Sequence, residues 1–310
     1  MTVYRHEPFG RDYRSFGEPL FGKLRFGDGL SDEEYFSVIK NLMRAKVNTD
    51  RPPFFDKQFQ RINHTTFQKL IWLGARATSL LAPTYALLFT PREGPSLVLV
   101  IKETRSSVNL DSIVKGARAN KLIVLMRHPY GVMASHLNGI KAGLMATWSS
   151  HMRRAWFEAH RNYEYVREKQ FTEDSVLQMP EVEFATIRWR TQNDEYLRMH
   201  AARADSRLIT YDAFLSDPVR NVREIFQFIG LEPEDQVLRF VRDSSSTEPS
   251  ANVLSADASS GYFSVFRGKG FDSNSWKRTL SSQDIELIDR HTYPLVERLG
   301  LNRWVAGQDS

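Results

Sequence analysis

Arg127 and Ser135 stand eight residues apart within the segment Leu122–Ser135, LIVLMRHPYGVMAS. One side chain is a guanidinium fork and the other a small hydroxyl. Together they suit a phosphate group, the first as a charged donor pair and the second as a further hydrogen bond. The five apolar residues Leu122 to Met126 read as a buried parallel strand. Pro129 is well placed in the first turn of a helix that follows. Arg127 is therefore expected at the carboxyl end of a strand, with Ser135 about two turns into the next helix. In open α/β sheets, ligands bind at that edge.

A second group of charges follows the apolar run Leu97–Ile101, LVLVI, as Lys102-Glu103-Thr104-Arg105. Two cations at a strand end could face an acidic ligand, although a solvated charge cluster explains them equally well. Arg267-Gly268-Lys269-Gly270 combines basic side chains with glycines, which let backbone amides come close to an anion. Tyr211 follows the short strand candidate Arg207–Thr210, and Glu7 and His6 precede Pro8.

These residues need a scaffold that alternates strands and helices. Ser31–Arg44 opens with Ser31, Asp32, Glu33 and Glu34, a helix-start pattern. Thr66–Leu81 is expected to be helical. Leu70–Phe89 is the most apolar stretch, but Arg76 and Pro83 interrupt it as a membrane span. It reads instead as a buried helix, a break at Pro83 and a second short helix. Leu97–Ile101, a helix over Leu110–Ala119 and Leu122–Met126 would form a βαβ unit with a right-handed crossover.

Further on, Gly131–Lys169 is expected to be largely helical, Phe171–Glu181 a loop and Val182–Ala204 a helix. Trp189 and Phe226 are read as core residues. Asp217-Pro218 opens a helix that places Val222, Ile225, Phe226 and Ile229 on one face and stops at Gly230. Ser244–Gly261 reads as a loop. Ser281–Arg298 closes the chain with a helix capped by Ser281 and Asp284. Three short apolar strands among helices predict a parallel sheet covered on both sides.

Composition narrows the chemistry. The 310 residues are 41% hydrophobic, ample for one large α/β domain. The net charge of +5 favours anionic ligands. There is no cysteine, which excludes disulfides, thiolate metal sites and cysteine nucleophiles. The eight histidines lack HxH or HExxH spacing, so no metal is expected. The P-loop kinase pattern GxxxxGK[ST] is absent, and no nucleic-acid-binding module is recognisable. No signal peptide is visible, and a bacterial-type cytoplasmic setting is the simplest expectation.

The segment Leu122–Ser135 resembles the 3′-phosphate motif of sulfotransferases, which use 3′-phosphoadenosine-5′-phosphosulfate (PAPS) as sulfuryl donor. The resemblance implies that Arg127 and Ser135 hold the nucleotide's 3′-phosphate and that Tyr211 touches the nucleotide. It implies that the Arg267, Lys269 and Gly270 loop closes over that phosphate. Lys102 and Arg105 are similar to the Lys-x-x-Arg of carbohydrate sulfotransferases, which implies a catalytic cation at Lys102 and an acceptor contact at Arg105. Glu7 matches the family's Glu-Pro segment and becomes the candidate general base. The Trp189 helix, the Tyr211–Asp217-Pro218 order, and Trp276-Lys277 with the closing Leu299-Gly300 extend the resemblance toward the C-terminus.

The implied fold is a P-loop-NTPase-like α/β sulfotransferase domain over residues 1–310, a central parallel sheet flanked by helices. One departure stands out. The family's opening strand and Gly/Ser/Thr loop, which bind the 5′-phosphosulfate, are not found upstream of Leu97. Three expectations follow: the chain starts after that element, has diverged there, or has lost catalysis. The implied activity is transfer of a sulfuryl group from PAPS to the hydroxyl of a carbohydrate or glycolipid-like acceptor, leaving adenosine 3′,5′-bisphosphate. The alternative is a non-catalytic nucleotide or polyanion binder of the same fold.

Overall fold

The computed structural model describes residues 2–6, 30–44, 62–90, 98–102, 104, 114, 121–245 and 275–301. The chain divides into two compact units, Met1–Asn120 and Lys121–Ser310. The expected helix over Leu110–Ala119 lies outside the described residues apart from buried Val114, and so does the loop after Ser245.

The first unit holds two parallel strands, β1 (Thr2–His6) and β2 (Val98–Lys102), with Thr2 opposite Val98 and His6 opposite Lys102. Between them in sequence lie α1 (Asp32–Met43), α2 (Ile62–Ala77), a 3-10 turn (Ser79–Leu81) and α3 (Ala82–Phe89). The start of α1 follows from its first residues. The Ser31 backbone N–H donates to Glu34 Oε2 at 2.9 Å, and the Glu34 N–H donates to Ser31 Oγ at 3.3 Å, a reciprocal cap. Val38 and Leu42 of α1 pack with Leu99 and Ile101 of β2.

α2 and α3 break where the sequence predicts, with Pro83 in the first turn of α3. They are not buried, however. Trp72, Ala75 and Tyr85 form a small core between the helices, while Leu80 is 84% exposed and Leu87 82%. Hydrophobicity marked these residues for burial, but two short helices joined by a tight turn can cover only their inner stripes. No described helix is long and apolar enough to cross a membrane.

The second unit holds β3 (Leu122–Met126) and β4 (Ser206–Thr210), again parallel, with Leu122 opposite Ser206 and Met126 opposite Thr210. The described strands thus form one two-stranded parallel sheet in each unit. β3 packs within this unit through alternate residues. Val124 and Met126 are buried, whereas Ile123 and Leu125 are 38% and 57% exposed. Strand alternation puts Val124 and Met126 on the side packed within this unit.

Helices build the packed side. They are α4 (Pro129–Lys141), α5 (Ser150–His160), α6 (Glu164–Glu168), α7 (Glu173–Gln178), α8 (Glu181–Ala201), α9 (Tyr211–Ser216), α10 (Pro218–Phe228), α11 (Asp235–Ser245) and α12 (Ser282–Arg298). The short helix α7 occupies the expected loop. Thr172 and Ser175 cap it reciprocally, with Ser standing where Glu or Gln is usual.

The long helix α8 lies against α12, α4 and the strands. Trp189 of α8 sits in the core with Tyr130, Met133, Ile288 and Leu295, as expected. Phe226 packs partly buried beside Val222 and Leu238. Asp217 caps α10 through the Arg220 N–H at 3.0 Å, and Gly230 ends it with φ +74°. Ser281 and Asp284 cap α12 as predicted.

Candidate functional site

Two parallel strands ending side by side create the site's frame. Met126 and Thr210 are register partners, so the next residues, Arg127 and Tyr211, leave the same sheet edge together. The Arg127 guanidinium carbon lies 5.1 Å from the centroid of the Tyr211 ring, a cation–π arrangement.

After Arg127 the chain turns into α4. His128 is its N-cap: the Tyr130 backbone N–H donates to His128 Nδ1 at 3.2 Å, and Pro129 begins the helix. The Arg127 side chain lies over this first turn. A Cβ built on Gly131 would stand 2.9 Å from Arg127 Nε and 3.3 Å from Cζ. Gly131 thus lets the guanidinium settle against the helix backbone. Ser135 lies one turn further on, at the i+4 position, so Gly131 and Ser135 share a helix face. Arg127, Gly131 and Ser135 form one row along that face, with Ser135 half-buried.

The electrostatics favour an anion. A helix of 13 residues presents its positive end beside a guanidinium. Asp212 opposes this. Its Oδ2 is buried without a hydrogen-bond partner among the described residues. Burial pushes its carboxyl pKa up, while the positive charge of Arg127 pulls it back down. His128 is buried too, and its Nε2 also lacks a partner among the described residues. Burial holds its pKa down to about 4, so the ring is neutral near neutral pH.

Surrounding contacts fix the angle of α4. Tyr130 O–H donates to Asp289 Oδ1 at 2.5 Å, and its ring lies 4.6 Å from that of Trp276. His136, next to Ser135, contacts Glu181 Oε1 through Nε2 at 2.8 Å. Arg153 binds the other Glu181 oxygen at 3.1 Å. These bonds tie α4 to α5, α8 and α12, so the Arg127 row has little freedom to rotate.

The structure therefore brings Arg127, Tyr211 and the Ser135 face to one strand–helix junction. Lys102 lies in the other unit, exposed at the carboxyl end of β2. Glu7, Arg105, Arg267, Lys269 and Gly270 lie outside the described residues. Sequence reasoning missed Gly131 and Asp212. Glycine four residues after an arginine at a strand end was a readable sign of the first. The second needed the tertiary fold. Among the described residues no group of three or more His, Asp or Glu side chains could hold a metal ion.

A family model described as Sulfotransferase domain matches residues 105–300, more than half of the chain. The chain belongs to the sulfotransferase family. The matched range contains Arg127, Ser135, Tyr211 and Trp276, and the chemistry of the family is sulfuryl transfer to an acceptor. No curated protein and no solved structure matches the chain.

Proposed function

We propose that this chain uses PAPS to sulfate an acceptor hydroxyl, and that Arg127 and Ser135 hold the 3′-phosphate of the nucleotide. The observation that carries this reading is the seating of the Arg127 guanidinium on Gly131, one helical turn before Ser135. A phosphate placed there would meet a fork of N–H donors, a hydroxyl and the positive end of α4. Tyr211, just past the end of the neighbouring strand, would support the guanidinium through its ring.

PAPS would supply an activated sulfuryl group on its 5′-phosphate. This chain's share of the work is to position and to move a proton. The acceptor oxygen attacks sulfur as the bond to the 5′-phosphate oxygen breaks, and the acceptor proton must leave to a base. Glu7 is the proposed base and Lys102 a proposed cation for charge on the transferring oxygens. Arg105 is proposed to contact the acceptor, and Arg267, Lys269 and Gly270 to close over the phosphate. A carbohydrate or glycolipid-like acceptor is the preferred class, on the resemblance of the Lys102–Arg105 segment.

The test is the melting temperature with and without adenosine 3′,5′-bisphosphate. The parent protein should be stabilised, and Arg127→Ala and Ser135→Ala should lose the shift. No shift in the parent would end the assignment. A labelled-sulfate transfer assay then separates an enzyme from a non-catalytic binder.

A further inference from the structure

The first unit carries more uncovered apolar side chain than its small core explains. Phe67, Leu70 and Leu73 recur every three residues on α2 and are each about half exposed or more. Leu80, on the turn between the helices, is 84% exposed, and Leu87 on α3 is 82% exposed with Leu88 beside it at 53%. The inner stripe of the hairpin is already satisfied. Trp72, Ala75 and Tyr85 bury one another. A Cβ on Gly74 would meet Leu81 Cδ1 at 2.9 Å, so the turn folds closely back on α2. What remains is a closed helical hairpin with an apolar exterior, a pattern that marks an interaction surface.

Charge selects the occupant. Lys57, Arg61, Lys69, Arg76 and Arg92 are the only Lys, Arg, Asp or Glu residues between Asp56 and Glu93, so the segment is acid-free and basic. A second copy of the chain would set two such segments against each other, with like charges around the contact. An anionic lipid surface offers an apolar layer and negative headgroups at once. α2 and α3 are too short to span a bilayer, which leaves the plane of the interface. The Arg76 guanidinium carbon lies 4.9 Å from the Trp72 ring centroid, a geometry that keeps a cation at an apolar boundary.

We propose that the Phe67–Leu88 hairpin docks this protein on the surface of anionic membranes. Leu80 and Leu87 enter the acyl boundary and Arg76 meets the headgroups. This does not depend on the reading of the Arg127 site.

Flotation of the full chain with vesicles tests it. Binding to an equal mixture of phosphatidylglycerol and phosphatidylcholine should exceed binding to phosphatidylcholine alone by about tenfold or more, and should fall in high salt. The double substitution Leu80→Glu and Leu87→Glu should remove vesicle binding while the melting temperature stays unchanged, because both side chains are exposed. Failure of the parent to bind mixed vesicles overturns the proposal, as does equal binding by the double variant. A large drop in melting temperature would show that the face packs within the chain. A parent dimer that the double variant dissolves would assign the face to a second copy. Either result overturns it.

Discussion

The guanidinium of Arg127 rests on Gly131 at a distance that no other residue there would permit without a shift. The Cβ of an alanine would stand 2.9 Å from Nε, at the far end of a long side chain. The helix backbone need not move, so the guanidinium will. Gly131→Ala should leave the fold intact, with a helix-propensity gain of up to about 1 kcal/mol. Affinity for adenosine 3′,5′-bisphosphate should fall about tenfold, roughly 1.4 kcal/mol. Calorimetric titration beside a thermal melt separates the two effects.

Arg127→Lys keeps the charge but gives up the planar fork and the stacking on Tyr211. We expect nucleotide affinity to fall nearly as far as in Arg127→Ala. Tyr211→Phe keeps the ring and should keep most of the affinity, whereas Tyr211→Leu should weaken it several-fold. Parent-like binding by Arg127→Lys would show that only charge matters at this position.

Asp212 gives a prediction with two readouts. Its folded carboxyl titrates above its ordinary value because it is buried. The ionised form therefore opposes folding at neutral pH, and that cost disappears as pH falls through the folded value. Asp212→Asn should melt higher than the parent near pH 7, with the difference shrinking in acid. It should also bind the nucleotide more tightly, since a negative charge beside Arg127 is gone. A lower melting temperature at pH 7 would contradict the first part.

His128 and His160 are both held down to about 4 by burial. In the unfolded chain they protonate near the ordinary value of about 6.5. Between those limits the unfolded chain takes up protons that the folded one refuses, so stability falls as pH drops from about 6.5 toward 4. His128→Asn keeps an acceptor for the Tyr130 N–H but cannot titrate. Its urea midpoint should decline less steeply over that window than the parent's.

Tyr130→Phe removes the hydrogen bond to Asp289. Because the acceptor is a carboxylate, the loss should be about 1.5–3 kcal/mol. If the α4–α12 contact positions Arg127, nucleotide affinity should fall as well; unchanged affinity would make this bond purely structural.

What the sequence disclosed was local. Leu122–Met126 is a strand, Pro129 starts the helix, and Asp217-Pro218 and Ser281–Asp284 cap where expected, because each signal sits within a few residues of its effect. The pairing of Arg127 with Tyr211 depends on the register of two strands distant in sequence. A resemblance could suggest it, but spacing alone could not. Exposure escaped the sequence as well. Leu80, Leu87 and Leu125 have the same apolar character as Leu295 and Ile288, and only the packing of neighbouring elements separates open from covered.

The bond from Tyr130 to Asp289 joins residues 159 positions apart. A nascent chain emerging from the ribosome would make β3, α4 and its Glu181 brace early, yet would lack the braces at Trp276 and Asp289 until the C-terminal helix had been synthesised and released. Premature termination ahead of the final helix should thus yield a polypeptide that retains Arg127 and Ser135 on a helix missing one of its two braces.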